Sequence, residues 1–293
     1  MYYQQPASFV DKAHPDDVCL LRKSLYGLKQ APQAWFHWFA THLQRLGFMV
    51  SKSDSSLFIY NRDTDAAHLL LYVDDIVLST STTTLLQHII NQLRHEFAMK
   101  DLGPMHYFLS IQVWRTPAGF FLSQAQYADD ILDRTGMSDC KPAPTPVDTK
   151  AKVSSAAGTP LLDPTFYRSI VGALQYLTLT HPDLSYAVQQ ACLHMHDPRD
   201  VHWTFVKCVL WYVRGSWRKS LQLRRSTLPL LVAYSDADCA GCPDMRRSTL
   251  GFCVFLGDSL VSWSSKHQAI VSRASAEAEY RGVAHAMAEC CCL

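Results

Sequence analysis

The sequence has almost no net charge, no long apolar run and no paired metal-binding cysteines. Lysine and arginine number 27 against 26 acidic residues in 293, so overall charge neither selects nor excludes a nucleic-acid partner. No stretch of about 18 apolar residues occurs, which argues against a membrane-spanning helix. Met1-Tyr2-Tyr3-Gln4-Gln5-Pro6 lacks the basic and apolar regions of a secretory signal. Ten cysteines without such a signal point to reduced thiols in an intracellular protein. Cys239-Ala240-Gly241-Cys242 is a single CxxC with no second pair at zinc spacing. Pro243 and Arg246-Arg247 follow it, where a redox motif would open a helix. The end Cys290-Cys291-Cys292-Leu293 fits a prenylation box only superficially, because its inner cysteines are poor aliphatic positions. Apolar material is plentiful at 48%, with 18% charged, so a core is expected and the length suits about two domains.

Periodicity gives the organisation. Ala31 to Gly47 places Trp35, Phe39, Leu43 and Leu46 at helical spacing, with Pro32 at its start and glycine at its end. His68 to Ser79 is two apolar runs around a pair of acids, read as strand, turn, strand. Thr84 to Phe97 reads as an amphipathic helix. Met105 to Trp114 and Phe120 to Ser123 read as a hairpin across Thr116-Pro117-Ala118-Gly119. Residues 140–164 change texture to proline, serine and alanine and are expected to be a linker. Helices are expected over Phe166 to Leu179, after Pro182, and after Asp197-Pro198. Strands follow from Leu221, and a last helix begins near Ser275.

Tyr72-Val73-Asp74-Asp75 is the strongest local signal. Carboxylates beside a core are costly unless a cation holds them. A tight turn can present both to Mg²⁺, which prefers oxygen ligands and substrate phosphates. A plain acidic hairpin turn is the other reading of these four residues.

Upstream lies Leu25-Tyr26-Gly27-Leu28-Lys29-Gln30-Ala31-Pro32, followed by Trp35. With the YVDD sequence and Leu102-Gly103-Pro104-Met105-His106-Tyr107-Phe108-Leu109-Ser110-Ile111, it resembles the reverse transcriptase of Ty1/copia-type retrotransposons. Tyr234-Ser235-Asp236-Ala237-Asp238 and Ala276-Glu277-Ala278-Glu279-Tyr280 resemble that family's ribonuclease H domain. The motifs stand in the family's order over essentially the whole chain. The resemblance implies an α+β fold: a partial polymerase palm with a helical thumb or connection, then a truncated ribonuclease H-like α/β domain. The expected boundaries are 1–139 for the palm and thumb remnant, 140–164 for the linker, 165–218 for the helical thumb or connection and 219–293 for the ribonuclease H-like domain.

The resemblance also implies site residues. Asp74 and Asp75 would be catalytic carboxylates holding Mg²⁺ or Mn²⁺ in a two-metal site. Tyr26, Gly27, Lys29 and Gln30 would meet the incoming nucleotide and the template, and the hairpin near Met105 to Ile111 would grip the primer. In the ribonuclease part, Asp236 and Asp238 share a face of a strand. On the last helix Ala276, Tyr280, Val283, Ala284 and Met287 are expected to form the buried stripe, flanked by Glu277 and Glu279. Glu277 has Arg281 four residues on, a ready ion pair. Asp236 and Glu279 are therefore the expected second pair of metal ligands.

Basic residues cluster late. Lys207, Arg214, Arg218, Lys219, Arg224 and Arg225, interleaved with Trp203, Trp211, Tyr212 and Trp217, form either a phosphate-gripping, base-stacking face or the solvated edge of an amphipathic helix. The partners implied are an RNA template, a DNA primer, an RNA/DNA hybrid and deoxynucleoside triphosphates, with no membrane, in the cytoplasmic virus-like particle of the family. In that family, further carboxylates precede the segment at which this chain begins and follow the helix at which it ends. Both sites are therefore expected to be incomplete, with metal held weakly. A non-catalytic nucleic-acid-binding remnant is the competing reading.

Overall fold

The computed structural model describes residues 2–22, 27–147, 153–226 and 230–293. They form two compact units, 1–103 and 104–293, with α+β composition and wholly antiparallel sheets. No helix among the described residues is long and apolar enough to cross a membrane.

The first unit opens with the small ribbon β1 (Tyr2–Gln4) and β2 (Val18–Leu20). Helix α1 (Ala31–Arg45) starts with proline in its first turn, where a missing N–H costs nothing. It ends in a Schellman motif. Gly47 takes φ +97°, its N–H donates to the Gln44 carbonyl, and the Phe48 N–H donates to that of Leu43. A meandering sheet follows: β3 (Met49–Val50), β4 (Leu57–Arg62), β5 (Asp65–Tyr72) and β6 (Asp75–Thr80), in that spatial order. Helix α2 (Thr83–Glu96) is capped by the Thr82 hydroxyl, which accepts from the Leu85 N–H at 3.2 Å. The buried face of each element meets one core: Phe39 and Leu43 of α1, Phe58 of β4, Leu69 and Leu71 of β5, and Ile89 and Leu93 of α2.

The second unit begins with the stretch read as one strand from Met105. The structure breaks it at Leu109-Ser110, both in the left-handed region, so β7 (Tyr107–Phe108) turns back on β8 (Ile111–Thr116). Two consecutive residues with positive φ make a tight turn whose twist suits a hairpin. The Tyr176 hydroxyl donates to the Leu109 carbonyl and pins that turn. Strand β9 (Gly119–Ser123) completes the expected hairpin with β8. Helices α3 (Ala125–Arg134), α4 (Pro164–Leu177), α5 (Ser185–Cys192) and α6 (Asp200–Ser216) pack on one core of Ile131, Tyr167, Ile170, Leu174, Val188 and Leu210 with their neighbours.

Strand β10 (Leu221–Arg224) then pairs with β9, about a hundred residues earlier, with Leu221 opposite Leu122. The last layer is β11 (Leu231–Ala237), β12 (Thr249–Leu256) and β13 (Ser259–His267), with α7 (Ser275–Cys292) packed on β11 and β12. The Trp263 indole N–H donates to the Thr178 carbonyl at 3.1 Å and ties β13 to the end of α4.

His194 and His202 stack with ring centroids 3.7 Å apart. His202 Nδ1 accepts from the Arg199 N–H, so Nε2 carries the proton and donates to the Ser154 carbonyl. Burial, and then the neighbouring His202, push the pKa of His194 down to about 4; His267 adds to this and the Asp244 carboxylate opposes it. Folding therefore favours neutral His194. Its contribution is complete above pH 6.5 and is lost as pH falls towards 4. Thermal melting should drop over that window, and His194→Phe, which keeps a stacked ring without the titrating nitrogen, should flatten the drop.

Gly119 sits at φ +142°, and a Cβ there would run into the Leu223 carbonyl of β10. Gly119→Ala should therefore destabilise the second unit by roughly 2 kcal/mol or more. Equilibrium denaturation measures it, and a change under about 0.5 kcal/mol would show that β10 shifts without cost.

Candidate active site

The acidic pair stands at the tip of the β5–β6 hairpin. Tyr72 pairs with Asp75, which leaves Val73 and Asp74 as a two-residue turn. Val73 has φ +53°. The hairpin at the other end of β5 likewise has positive φ at its first turn residue, but there it is Asp63, which tolerates that region better. For a β-branched valine the same conformation is strained by about 1–2 kcal/mol. The Trp35 indole N–H donates to the Val73 carbonyl at 3.3 Å. Trp35 in turn packs on Phe39 and Phe97, with ring centroids 5.4 Å away in both cases. The two sequence motifs of this unit therefore meet physically, because the tryptophan that closes one holds the turn of the other.

Asp74 and Asp75 are both exposed. Neither carboxylate forms an ion pair or hydrogen bond with a described residue. Exposure to water removes the burial cost that would otherwise demand a cation in the folded chain. Two adjacent, unpaired carboxylates suit a hard divalent cation. Among the described residues, no cluster of three or more His, Cys, Asp or Glu side chains is arranged to hold a metal ion.

Gly27 takes φ +89° in an exposed turn, Lys29 is exposed, and the Gln30 carbonyl, just before α1, accepts the Ala34 N–H at 3.0 Å. Tyr26 lies outside the described residues.

In the second unit Asp236 is exposed on β11, opposite Gly251. Asp238 is engaged elsewhere. Its carboxylate accepts the Thr249 N–H at 2.7 Å, and its own N–H donates to the Thr249 carbonyl. The face of α7 is a correction. Its buried residues are Ala278, Gly282 and Ala286, whereas Tyr280, Val283 and Met287 are exposed. The two sets differ by two positions, or about 200° around a helix, and small side chains let the helix axis approach the sheet. A Cβ on Gly282 would lie 3.9 Å from the Asp236 carbonyl oxygen. Glu279 is about one turn before Gly282 on α7 and is half-buried. Glu277 is occupied as expected: it binds Arg281 at 2.7 Å and accepts the Arg273 N–H at 2.8 Å, and these bonds hold its carboxyl below the usual range. Glu279 has no such partner among the described residues.

The basic and aromatic stretch is also corrected in part. Tyr212 is buried, and Trp203 and Trp217 pack against the helical core, so they are not free to stack on bases, whereas Trp211 is 37% exposed. Lys207 and Arg214 are half-buried. Arg218, Lys219, Arg224 and Arg225 are more open to solvent, with Arg218 over the Trp217 ring at 4.6 Å and Lys219 over the Tyr212 ring at 5.5 Å.

Relief of the Val73 strain is measurable. Val73→Gly should stabilise the first unit by roughly 0.5–1 kcal/mol, the strain removed less the backbone freedom added to the unfolded chain. Trp35→Phe should destabilise it by about 1 kcal/mol through the lost hydrogen bond. Chemical denaturation of both variants decides, and destabilisation by Val73→Gly would refute the strained turn.

Residues 1–149 match the family described as reverse transcriptase (RNA-dependent DNA polymerase). The chain is 48% identical over 289 residues to the retrovirus-related Pol polyprotein from transposon RE2 of Arabidopsis thaliana, covering 99% of this chain and 20% of that protein. The Pol polyprotein from transposon TNT 1-94 of Nicotiana tabacum is 33% identical over 290 residues, with 96% and 22% covered. An uncharacterized mitochondrial protein of Arabidopsis thaliana is 51% identical over 222 residues, with 76% of this chain and 92% of that protein covered. No solved structure matches the chain. The chain thus spans only 20% to 22% of the length of these Pol polyproteins. With an acidic YVDD turn held by the tryptophan of the LYGLKQAPQAW segment, and with this likeness along nearly its whole length, the chain belongs to the reverse transcriptase family of copia-type retrotransposon Pol polyproteins.

Proposed function

We propose that this chain supplies the hairpin half of a polymerase site and part of a ribonuclease H site within a retrotransposon Pol protein. The observation that carries the proposal is the acidic tip: Asp74 and Asp75, exposed and without a partner among the described residues, on a strained turn held by Trp35. Asp74 and Asp75 would hold Mg²⁺ or Mn²⁺. The metal ions would activate the primer 3′-hydroxyl and stabilise the leaving pyrophosphate. The protein's own part is to fix the carboxylates on a hairpin whose turn Trp35 holds. Gly27, Lys29 and Gln30, with Tyr26, would meet the incoming deoxynucleoside triphosphate and the RNA template. Asp236 and Glu279 would be metal ligands of the ribonuclease part, acting on the RNA of an RNA/DNA hybrid. Arg218, Lys219, Arg224 and Arg225 would contact phosphates, with Lys207 and Arg214 secondary because of their burial. In this reading 165–218 is the thumb or connection, 219–293 is ribonuclease H-like, and the protein works in the cytoplasmic particle of its family.

The 293 residues alone are expected to be inactive in both reactions. Two-metal phosphoryl transfer needs carboxylates converging from different strands, and the described residues bring no three such ligands together. A second reading, a non-catalytic nucleic-acid-binding remnant, draws support from the lack of a third ligand among the described residues.

Primer-extension and hybrid-cleavage assays in Mg²⁺ or Mn²⁺ test the proposal. A longer Pol chain containing these residues should extend a primer and cleave the hybrid. There Asp74→Asn or Asp75→Asn should cut extension at least about a hundredfold, and Asp236→Asn or Glu279→Gln should do the same to cleavage only. Metal-dependent turnover by the isolated chain would refute its incompleteness. Full activity of the longer chain despite Asp74→Asn would refute the site.

A further inference from the structure

On helix α6 only Trp211, 37% exposed, remains open to solvent among its aromatic residues, whereas the four-stranded sheet of the second unit carries several exposed rings on one face. In that sheet the spatial order is β10, β9, β8, β7. Trp114 stands directly opposite Phe121, and Phe121 directly opposite Gln222. Tyr107 is opposite Gln112, two residues before Trp114, so it is the diagonal neighbour of Trp114 on the same face. Arg224 is two residues after Gln222 and shares that face.

The exposures are unusual for a sheet of large aromatics. Tyr107 is 57% exposed, Trp114 58% and Phe121 37%. The opposite face carries Val113, which is buried, and Phe120, which is 40% exposed with the Arg115 guanidinium 5.4 Å from its ring, so that face has one open ring against three in a row on the other. A row of exposed rings on rigid strands is costly to leave in water and points to an aromatic or apolar ligand. Charge narrows the choice. Residues 105–123 and 218–226, which hold these strands and their flanks, contain Arg115, Arg218, Lys219, Arg224 and Arg225 and no Asp or Glu. A surface with π-faces in a row, on strands that carry cations and no acids of their own, fits a polyanion whose repeating units carry flat rings.

We propose that the sheet face formed by Tyr107, Trp114 and Phe121, with Arg224 at its edge, is a stacking platform for unpaired bases of single-stranded nucleic acid. Bases lie on the rings without sequence preference, and the backbone passes Arg224. The inference rests on the nucleic-acid reading above and deepens it, because it extends the contact from the β7–β8 hairpin, which the resemblance gives to the primer, across β8 and β9 to β10 and assigns that face to unpaired bases. Backbone cations alone would bind duplex and single strand alike, whereas the rings favour bases that are already unstacked.

The test is fluorescence anisotropy of a labelled oligo-dT of about 12 nucleotides with the full chain, titrated across salt from about 50 mM to about 200 mM. Trp114→Leu and Phe121→Leu keep apolar strand residues and remove the rings. Each should weaken binding about tenfold at fixed salt and leave the salt slope unchanged. Arg224→Gln should lower the slope by about one. Tyr2→Leu, which removes an aromatic 70% exposed on β1, should change neither. Circular dichroism and melting establish that each variant is folded. If Trp114→Leu does not fold, Tyr107→Leu, at the short edge strand, reads the same contact. Binding that is salt-dependent but unchanged by the ring substitutions would overturn the platform and leave the nucleic-acid reading standing. No binding by the unaltered chain at about 50 mM salt would overturn both. Concentration-dependent self-association that the ring substitutions abolish, with oligo-dT binding unchanged, would make the face a contact between copies and overturn the platform.

Discussion

A valine in the left-handed region costs about 1–2 kcal/mol, and the first unit is arranged to keep one there. Val73 turns the chain between two strands whose inner residues, Leu69 and Leu71 of β5 among them, are buried in the core. Slipping the register by one residue would expose that whole set, so the strands cannot relax the turn by sliding. Trp35 closes the arrangement from the other side by donating to the Val73 carbonyl. The rings around it, Phe39 and Phe97, belong to the same core. Packing of α1, α2 and the sheet therefore sets where the two carboxylates stand. A turn built from freer residues would present the same acids over a range of positions.

The second unit distributes its aromatic residues by a different constraint. The helical core takes Tyr167 and Tyr212 whole, together with the greater part of Trp203 and Trp217. Buried hydroxyls there are satisfied: Tyr167 donates to the Ala191 carbonyl at 2.9 Å and Tyr212 donates to Asp183. Both phenols are pushed up in pKa, chiefly by burial. The sheet beside this core is only four narrow strands and has little to cover its outer face. Tyr107, Trp114 and Phe121 are left in solvent for that reason. Interleaving of basic and aromatic residues along α6 thus reads as a binding face in one dimension and as a core helix with a charged edge in three.

Much of the first unit is legible in one dimension. Helical spacing from Trp35, the Pro32 start, the Gly47 stop and the split apolar run around Asp74-Asp75 each correspond to an element with nearly the expected bounds. These signals are local, governed by capping, φ preference and period. The last helix marks the limit of such signals. A face of alanine and glycine carries little hydrophobic contrast, so the larger Tyr280, Val283 and Met287 dominate the pattern although they point to solvent. The break at Leu109-Ser110 leaves only a faint mark in the sequence, because leucine is not a turn residue and a single serine is a weak one. Asp238 has the spacing of a second acid on the Asp236 face, yet it closes the end of β11 on β12. Strand period does not show which carboxylate a neighbouring N–H has already claimed.

By itself the sequence determined the motif order, the helix limits, the acidic turn and the likeness to reverse transcriptases. All of these depend on residues near one another in the chain. Tertiary structure alone decided that Trp35 holds Val73, that β10 returns to β9 across the helical block, that α7 presents its small residues to β11, and that Tyr107, Trp114 and Phe121 share one exposed sheet face. Each of these joins residues tens of positions apart or more, or selects one helix or sheet face over another. Such choices are made by the burial of whole surfaces against each other, and a local pattern does not contain the partner surface.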